Sequence, residues 1–342
     1  MEKVQHAFSE RVLRDMYDAV LVLDSMGIVY ANGPAARMLE VDEGYREAGA
    51  GFSFLTGNDY NDSFSEAIFE ALSNKGETTV KKVPYMAPSG RKYVFVLSSS
   101  FLRDTEGAQL VVTLSDETVA EEMTQKFNDS SNTFTTFLIG FSGWILIYAL
   151  WEFLGRPFPA DFMTHGVELL GIIMLVFILH RTSLTWRDLG VTTHEPRKTV
   201  RTALIVAACA FGFLCVLKAV CRLFDPNCFE PEAPFLDLSR FGLRQILYIF
   251  TAGIQEFLAR SVIQGNLKRI TAGRHTSPLA IFLSSLIFAA LHIHFGFLFM
   301  VGAAILAGLE GILYEKQQNI FGVWIVHWVF GVSGTLLCLI DH

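Results

Sequence analysis

Apolar positions fall into two regimes along the chain. Up to residue 132 they come as short runs broken by turn residues. From residue 134 onward they come as uninterrupted stretches long enough to cross a bilayer, which takes about 20 helical residues. In the first regime, residues 19–23 and 28–31 read as strands joined through Asp24-Ser25-Met26-Gly27, a hairpin signal. Residues 34–39 and 65–73 read as helices, the second with Ala67, Ile68, Ala71 and Leu72 on one face. Three more strand-like runs follow at 78–85, 92–102 and 109–114, separated by Ala87-Pro88-Ser89-Gly90 and Asp104-Thr105-Glu106-Gly107. Two strands, small helices and three antiparallel strands predict an α+β domain over residues 1–118. Residues 119–133 read as a short helix fading into a polar linker.

The second regime predicts an all-α polytopic membrane bundle over residues 134–342. Seven candidate spans lie at 134–154, 162–180, 200–223, 241–262, 279–295, 297–313 and 320–340. Arg181, Arg187, Arg197, Lys198 and Arg201 follow the second span, and Lys268, Arg269 and Arg274 follow the fourth. The loop after the third is acidic, with Asp225, Glu230, Glu232 and Asp237. The positive-inside rule therefore puts the N-terminal domain in the cytoplasm and the C-terminus outside; the membrane is expected to be a bacterial inner membrane. The first residues show no apolar core flanked by small residues, so no cleavable signal peptide is expected.

Composition supports this division. A hydrophobic content of 51% and a mean hydropathy of +0.39 exceed what a soluble protein of ordinary composition carries. A net charge of −7 without a basic stripe argues against a nucleic-acid partner. All five cysteines, Cys209, Cys215, Cys221, Cys228 and Cys338, lie in the apolar half, and none shows metal-ligand spacing.

The candidate chemistry is polar residues inside apolar segments. An ionisable group at bilayer depth costs about 2.5–3.5 kcal/mol even on insertion scales, so it faces a partner or a wet cavity. Glu256 and Arg260 are four apart and share a helix face, which allows an ion pair. Gln255 is rotated about 100° from Glu256 and addresses a different neighbour. His292 and His327 lie on the fifth and seventh spans. At about 1.5 Å per residue, Glu256 and His327 fall about 9 and 12 Å from the cytoplasmic ends of their spans. His292 falls about 21 Å, and a broken helix would close that difference. These residues are expected around one polar cavity.

Two resemblances follow. Asp18-Ala19-Val20-Leu21-Val22-Leu23-Asp24, Tyr30-Ala31-Asn32 and the junction Asp116-Glu117-Thr118 make the N-terminal part resemble a PAS domain. That family binds flavins, haem, small metabolites or nothing, and often pairs, which implies a homodimer. No cysteine is present for a photoadduct, and the domain's one histidine, His6, precedes the fold, so no cofactor is assigned and the PAS ligand is left open. The membrane half resembles the CPBP family of CAAX and bacteriocin-processing intramembrane proteases. Its first motif, Glu-Glu-x-x-x-Arg, stands here as Gln255-Glu256-Phe257-Leu258-Ala259-Arg260. Phe-x-x-x-His is Phe288-Ala289-Ala290-Leu291-His292, and His-x-x-x-Asn or Asp is His327-Trp328-Val329-Phe330-Gly331. Gly308-x-x-Gly311-x-x-Tyr314-Glu315 and Arg187-Asp188-Leu189-Gly190 are also similar.

The resemblance implies catalytic positions at Gln255, Glu256, His292 and His327, supported by Arg260, Phe288 and Gly331. The first acidic position and the second-motif histidine would activate water, and the third motif would stabilise the oxyanion. The substrate would be a membrane-embedded or lipidated protein. Gln255 stands where the base belongs, and Gly331 lacks the amide or carboxylate of the third motif. Losing general-base assistance forfeits about 10²–10⁴-fold, and one oxyanion donor about 10²–10³-fold. Three rescues are open: Glu256 as base, His292 acting alone, or an engineered change at Gln255. Two readings therefore stand: a PAS-regulated intramembrane endopeptidase, and a pseudoprotease that binds a helix or lipid without cutting it. A proton-relay bundle finds no repeat or broken-helix pair to support it. One Glu and two His suit zinc, but His-Glu-x-x-His is absent and no metal is expected.

Overall fold

A computed structural model describes residues 12–45, 51–55, 58–73, 79–102, 109–225, 229 and 232–339. His6, Cys228 and the predicted turn at 104–107 lie outside the described residues. The chain divides into two compact units, Met1–Thr124 and Gln125–His342.

The first unit is a six-stranded antiparallel sheet. Its strands are β1 (Ala19–Asp24), β2 (Gly27–Ala31), β3 (Gly44–Tyr45), β4 (Thr79–Met86), β5 (Lys92–Leu102) and β6 (Gln109–Asp116), in the order β3-β2-β1-β6-β5-β4. The hairpin between β1 and β2 turns through Ser25-Met26 into Gly27, whose φ of +132° suits a residue without Cβ. Alternate residues Leu21, Leu23, Phe95, Leu97, Val112 and Leu114 face one side and are buried. They pack with Leu39 of helix α1 (Gly33–Leu39) and with Phe64 and Ile68 of α2 (Asp62–Ser73). Asn32 organises this entry: its side chain accepts from Val20 N and Ala35 N at 2.9 and 3.0 Å, capping α1, and donates to Asp18 O at 3.0 Å. The interior is filled by aromatic rings, with Phe64 4.8 Å from Tyr85 and 6.2 Å from Phe95. Burial pushes the Tyr85 hydroxyl up to about 12.

The Asp116-to-Thr118 junction has a direct physical role. Thr118 N and Oγ1 both bond Asp116 Oδ1, and Val94 N donates to Thr118 Oγ1 at 2.9 Å, so the last strand, β5 and the next helix are tied together. That helix, α3, runs unbroken over Thr118–Phe153 instead of fading into a linker. Helical hydrogen bonds continue through the polar run because no glycine or proline interrupts residues 118–139.

The second unit is helical. Among the described residues five helices are long and apolar enough to cross a membrane: α3, α4 (Phe162–Arg181 of Asp161–Arg181), α5 (Pro196–Phe224), α6 (Leu243–Ile270) and α8 (Phe297–Gln317). Two shorter apolar helices, α7 (Thr276–Leu291) and α9 (Ile320–Leu336), correspond to the fifth and seventh predicted spans. Seven spans is thus an approximate count, five by length and two short. The fifth predicted span also ends early. Its helix stops at Leu291, and a tight turn, Ile293–Phe295, follows His292.

The segment Arg187-Asp188-Leu189-Gly190 serves as a clamp. Leu189 O accepts from Ser261 Oγ at 2.6 Å, Gly190 O accepts from Ile320 N at 2.9 Å, and Asp188 O accepts from Arg269. Gly190 has φ +75°, and a Cβ there would lie 2.5 Å from the Tyr314 hydroxyl. Elsewhere Lys218 is wholly buried, its ammonium donating to Pro234 O, Phe235 O and Leu337 O at 3.3, 3.1 and 2.5 Å.

Candidate functional site

Helix α6 carries the first motif and changes pitch there. Leu243–Glu256 is α-helical, but Phe257–Gly265 winds as a π-helix before Asn266–Ile270 resumes. Such wide turns cost backbone stability and concentrate at functional sites. Glu256, Arg260 and Gln264 face inward along this stretch, all with no exposed surface.

Arg260 is the hub. Its Nε donates to Glu256 Oε2 at 2.9 Å, one terminal nitrogen to Gln264 Oε1 at 3.1 Å, and the other to Glu310 Oε2 of α8 at 3.4 Å. His327 of α9 closes the other side, with Nδ1 2.7 Å from Glu256 Oε1 and Nε2 3.0 Å from the Tyr248 hydroxyl. Both oxygens of Glu256 are therefore engaged. Glu256, Glu310 and His327 place potential ligand atoms within 4.8 Å of one another, yet Arg260 is already the cation that both carboxylates share.

A cavity of about 530 Å³ lies beside this cluster. Gln255, Tyr248, His292 and Gly331 line it, together with Phe295, Phe299, Leu243 and Leu247 and the polar Thr164, His165, Glu168, Arg244 and Thr251. Gln255 and Glu256, adjacent in sequence, thus face different surroundings: Gln255 the cavity, Glu256 the ion cluster. The Gln255 side-chain oxygen is buried and has no hydrogen-bond partner among the described residues. His292 caps α7 and bonds Phe288 O through Nδ1 at 2.8 Å, the product of the four-residue spacing in Phe-x-x-x-His. The Phe288 ring is close to both histidines, 4.6 Å from His292 and 5.8 Å from His327, centroid to centroid. His292 lines the cavity, and His327 belongs to the cluster beside it.

Three comparisons bear on this arrangement. Residues 238–333 match the family described as Type II CAAX prenyl endopeptidase Rce1-like, and residues 7–74 match a PAS domain family. The chain joins a PAS domain to an Rce1-like membrane domain. No curated protein matches it. Among solved structures, similar ones include a PAS domain from a two-component sensor histidine kinase (21% identity, 34% of this chain, 99% of that one, TM-score 0.27). Others are the LOV protein of Rhodobacter sphaeroides (18%, 38% and 79%, 0.29) and a PAS domain of an HTR-like protein from Haloarcula marismortui (17%, 34% and 99%, 0.26).

In the Rce1-like domain the residues picked out by motif divide by location. Glu256, Arg260 and His327 form the buried network, Gln255, His292 and Gly331 line the cavity, and Phe288 packs near a histidine of each. Sequence reasoning missed Glu310, Tyr248 and Gln264. Glu310 lay within the quoted Gly308-to-Glu315 stretch, and a carboxylate there breaks the same rule that flagged Glu256. Tyr248 is an ordinary aromatic in an apolar run, and only its packing against His327 distinguishes it.

Proposed function

We propose that the Rce1-like domain holds a membrane-associated, lipid-modified peptide in the cavity beside Gln255 and hydrolyses it feebly or not at all. The observation that carries this reading is the pair of fates on α6. The residue facing the cavity is an amide, and the adjacent carboxylate is locked by Arg260 and His327. Moving Glu256 into the base position means breaking a buried ion pair, a loss of about 3–5 kcal/mol. An amide in its place forgoes the proton transfer, worth about 10²–10⁴-fold.

The cavity suits such an occupant. Its Phe295, Phe299, Leu243 and Leu247 walls fit an apolar chain, and its polar members fit a peptide. The PAS domain, which we place in the cytoplasm as one half of a homodimer, governs occupancy through the continuous helix α3. A second reading, slow hydrolysis with His292 as base, is favoured by one observation: Nδ1 is held by Phe288 O, which leaves the Nε2 lone pair available on a ring that lines the cavity.

Binding is tested with the purified full chain in nanodiscs and a fluorescent S-farnesylated tripeptide. Saturable binding, displaced by unlabelled peptide and weakened by Phe299→Trp inside the cavity, is the expected result. An absence of saturable binding overturns the reading.

A further inference from the structure

Gly331 and Tyr248 share one space. A Cβ built on Gly331 would lie 2.3 Å from the Tyr248 ring at Cε1, 2.8 Å from Cζ and 2.9 Å from the hydroxyl oxygen, closer than real Cβ contacts come. Tyr248 thus fills the volume that any side chain at position 331 would need. Its hydroxyl is also where the buried network reaches the cavity. Arg260 leads to Glu256, Glu256 to His327 and His327 Nε2 to Tyr248, but of these four only Tyr248 is among the residues lining the cavity. With Nδ1–H donating to the Glu256 carboxylate, a His327 that also carries hydrogen on Nε2 donates it to a phenol lone pair and leaves the one phenol hydrogen for the occupant.

On the same wall stands Gln255, 5% exposed, with a side-chain oxygen that lacks a partner among the described residues. Buried acceptors are almost always satisfied, so an orphan facing a cavity marks a donor that arrives with a ligand. The geometry points to Tyr248 and Gln255 as an amide-binding pair: the Tyr248 hydroxyl bonds the carbonyl oxygen of a peptide backbone, and Gln255 accepts the N–H. Tyr248 takes over the hydrogen-bonding place left empty at Gly331, and Gln255 binds instead of abstracting a proton. This rests on the reading of the cavity as a peptide site and names the group it grips.

The test measures affinity of the full chain in nanodiscs for three probes. These are the S-farnesylated tripeptide, its analogue with a backbone ester oxygen in place of the N–H, and farnesol. Tyr248→Phe should weaken the tripeptide about tenfold, one hydrogen bond in a dry site, and leave farnesol unchanged. The ester should bind the unsubstituted protein several-fold more weakly than the amide, and in Gln255→Ala the two should bind alike. Equal tripeptide affinity in Tyr248→Phe, or no amide–ester difference, overturns the pair while peptide binding stands. Failure of the unsubstituted protein to bind the tripeptide overturns the peptide reading, and the pair falls with it. If Tyr248→Phe does not fold, 3,5-difluorotyrosine at position 248 keeps the shape and alters the hydroxyl's acidity. The affinity should then change at least threefold, and an unchanged value overturns the assignment.

Discussion

Arg260→Met removes the charge at the centre of the buried network and keeps most of the side chain's bulk. Arg260 is among the largest fully buried side chains of the described residues and holds Glu256, Glu310 and Gln264 together. Without it, two carboxylates face each other in an apolar bundle, and the His327 ring lies 2.7 Å from Glu256 and 3.9 Å from Glu310. Removing one partner of a buried ion pair costs about 3–5 kcal/mol, because the other charge is left uncompensated. The shared guanidinium puts the expected loss toward the upper end. The control is Arg260→Met with Glu256→Gln and Glu310→Gln. Neutral groups of the same shape carry no such penalty, so at least about 2 kcal/mol should return. Reversible unfolding in mixed SDS micelles, followed by tryptophan fluorescence, reads both. A loss under about 1 kcal/mol for Arg260→Met, or no recovery in the triple variant, would refute the hub as described.

Other consequences follow from particular contacts. Gly331→Ala forces a Cβ into the Tyr248 ring and should cost about 1–3 kcal/mol by overpacking, a loss that Tyr248→Ala in the same chain should partly cancel. Lys218→Met removes the buried ammonium that the Pro234, Phe235 and Leu337 carbonyls share and should cost about 1.5–3 kcal/mol in the same unfolding assay. Burial works against the Asp188 charge, but bonds from the Thr185 amide and hydroxyl and from Lys126 outweigh it and hold the carboxyl below its usual value. Because the folded value lies below the unfolded one, its stabilisation is complete above about pH 4 and is lost as pH falls further. The stability difference between the protein and Asp188→Asn should therefore be flat from about pH 6 to 8 and shrink in acid.

Much of this was legible from spacing. The four-residue separation of Glu256 and Arg260 gives their contact, and the adjacency of Gln255 and Glu256 gives their different surroundings. The Asp24–Gly27 turn and the strand alternation gave the first hairpin and five of the strands, whereas the two-residue β3 and the order in which the strands pair carry no local signal. What spacing cannot carry is convergence between segments. Glu310 reaches Arg260 across 50 residues and Tyr248 meets His327 across 79, and nothing local marks either pair. The break at His292 and the π-helical stretch also follow from packing, since both runs read as continuous helix by composition alone. Polar composition alone suggested a linker where α3 runs straight through.

The most direct test of the account compares single-turnover hydrolysis of the S-farnesylated tripeptide by the purified protein and by Gln255→Glu. With the amide at the cavity and Glu256 held by Arg260 and His327, the glutamate variant should cleave at least about 100-fold faster. Equal rates in the two proteins, both well above background, would contradict it.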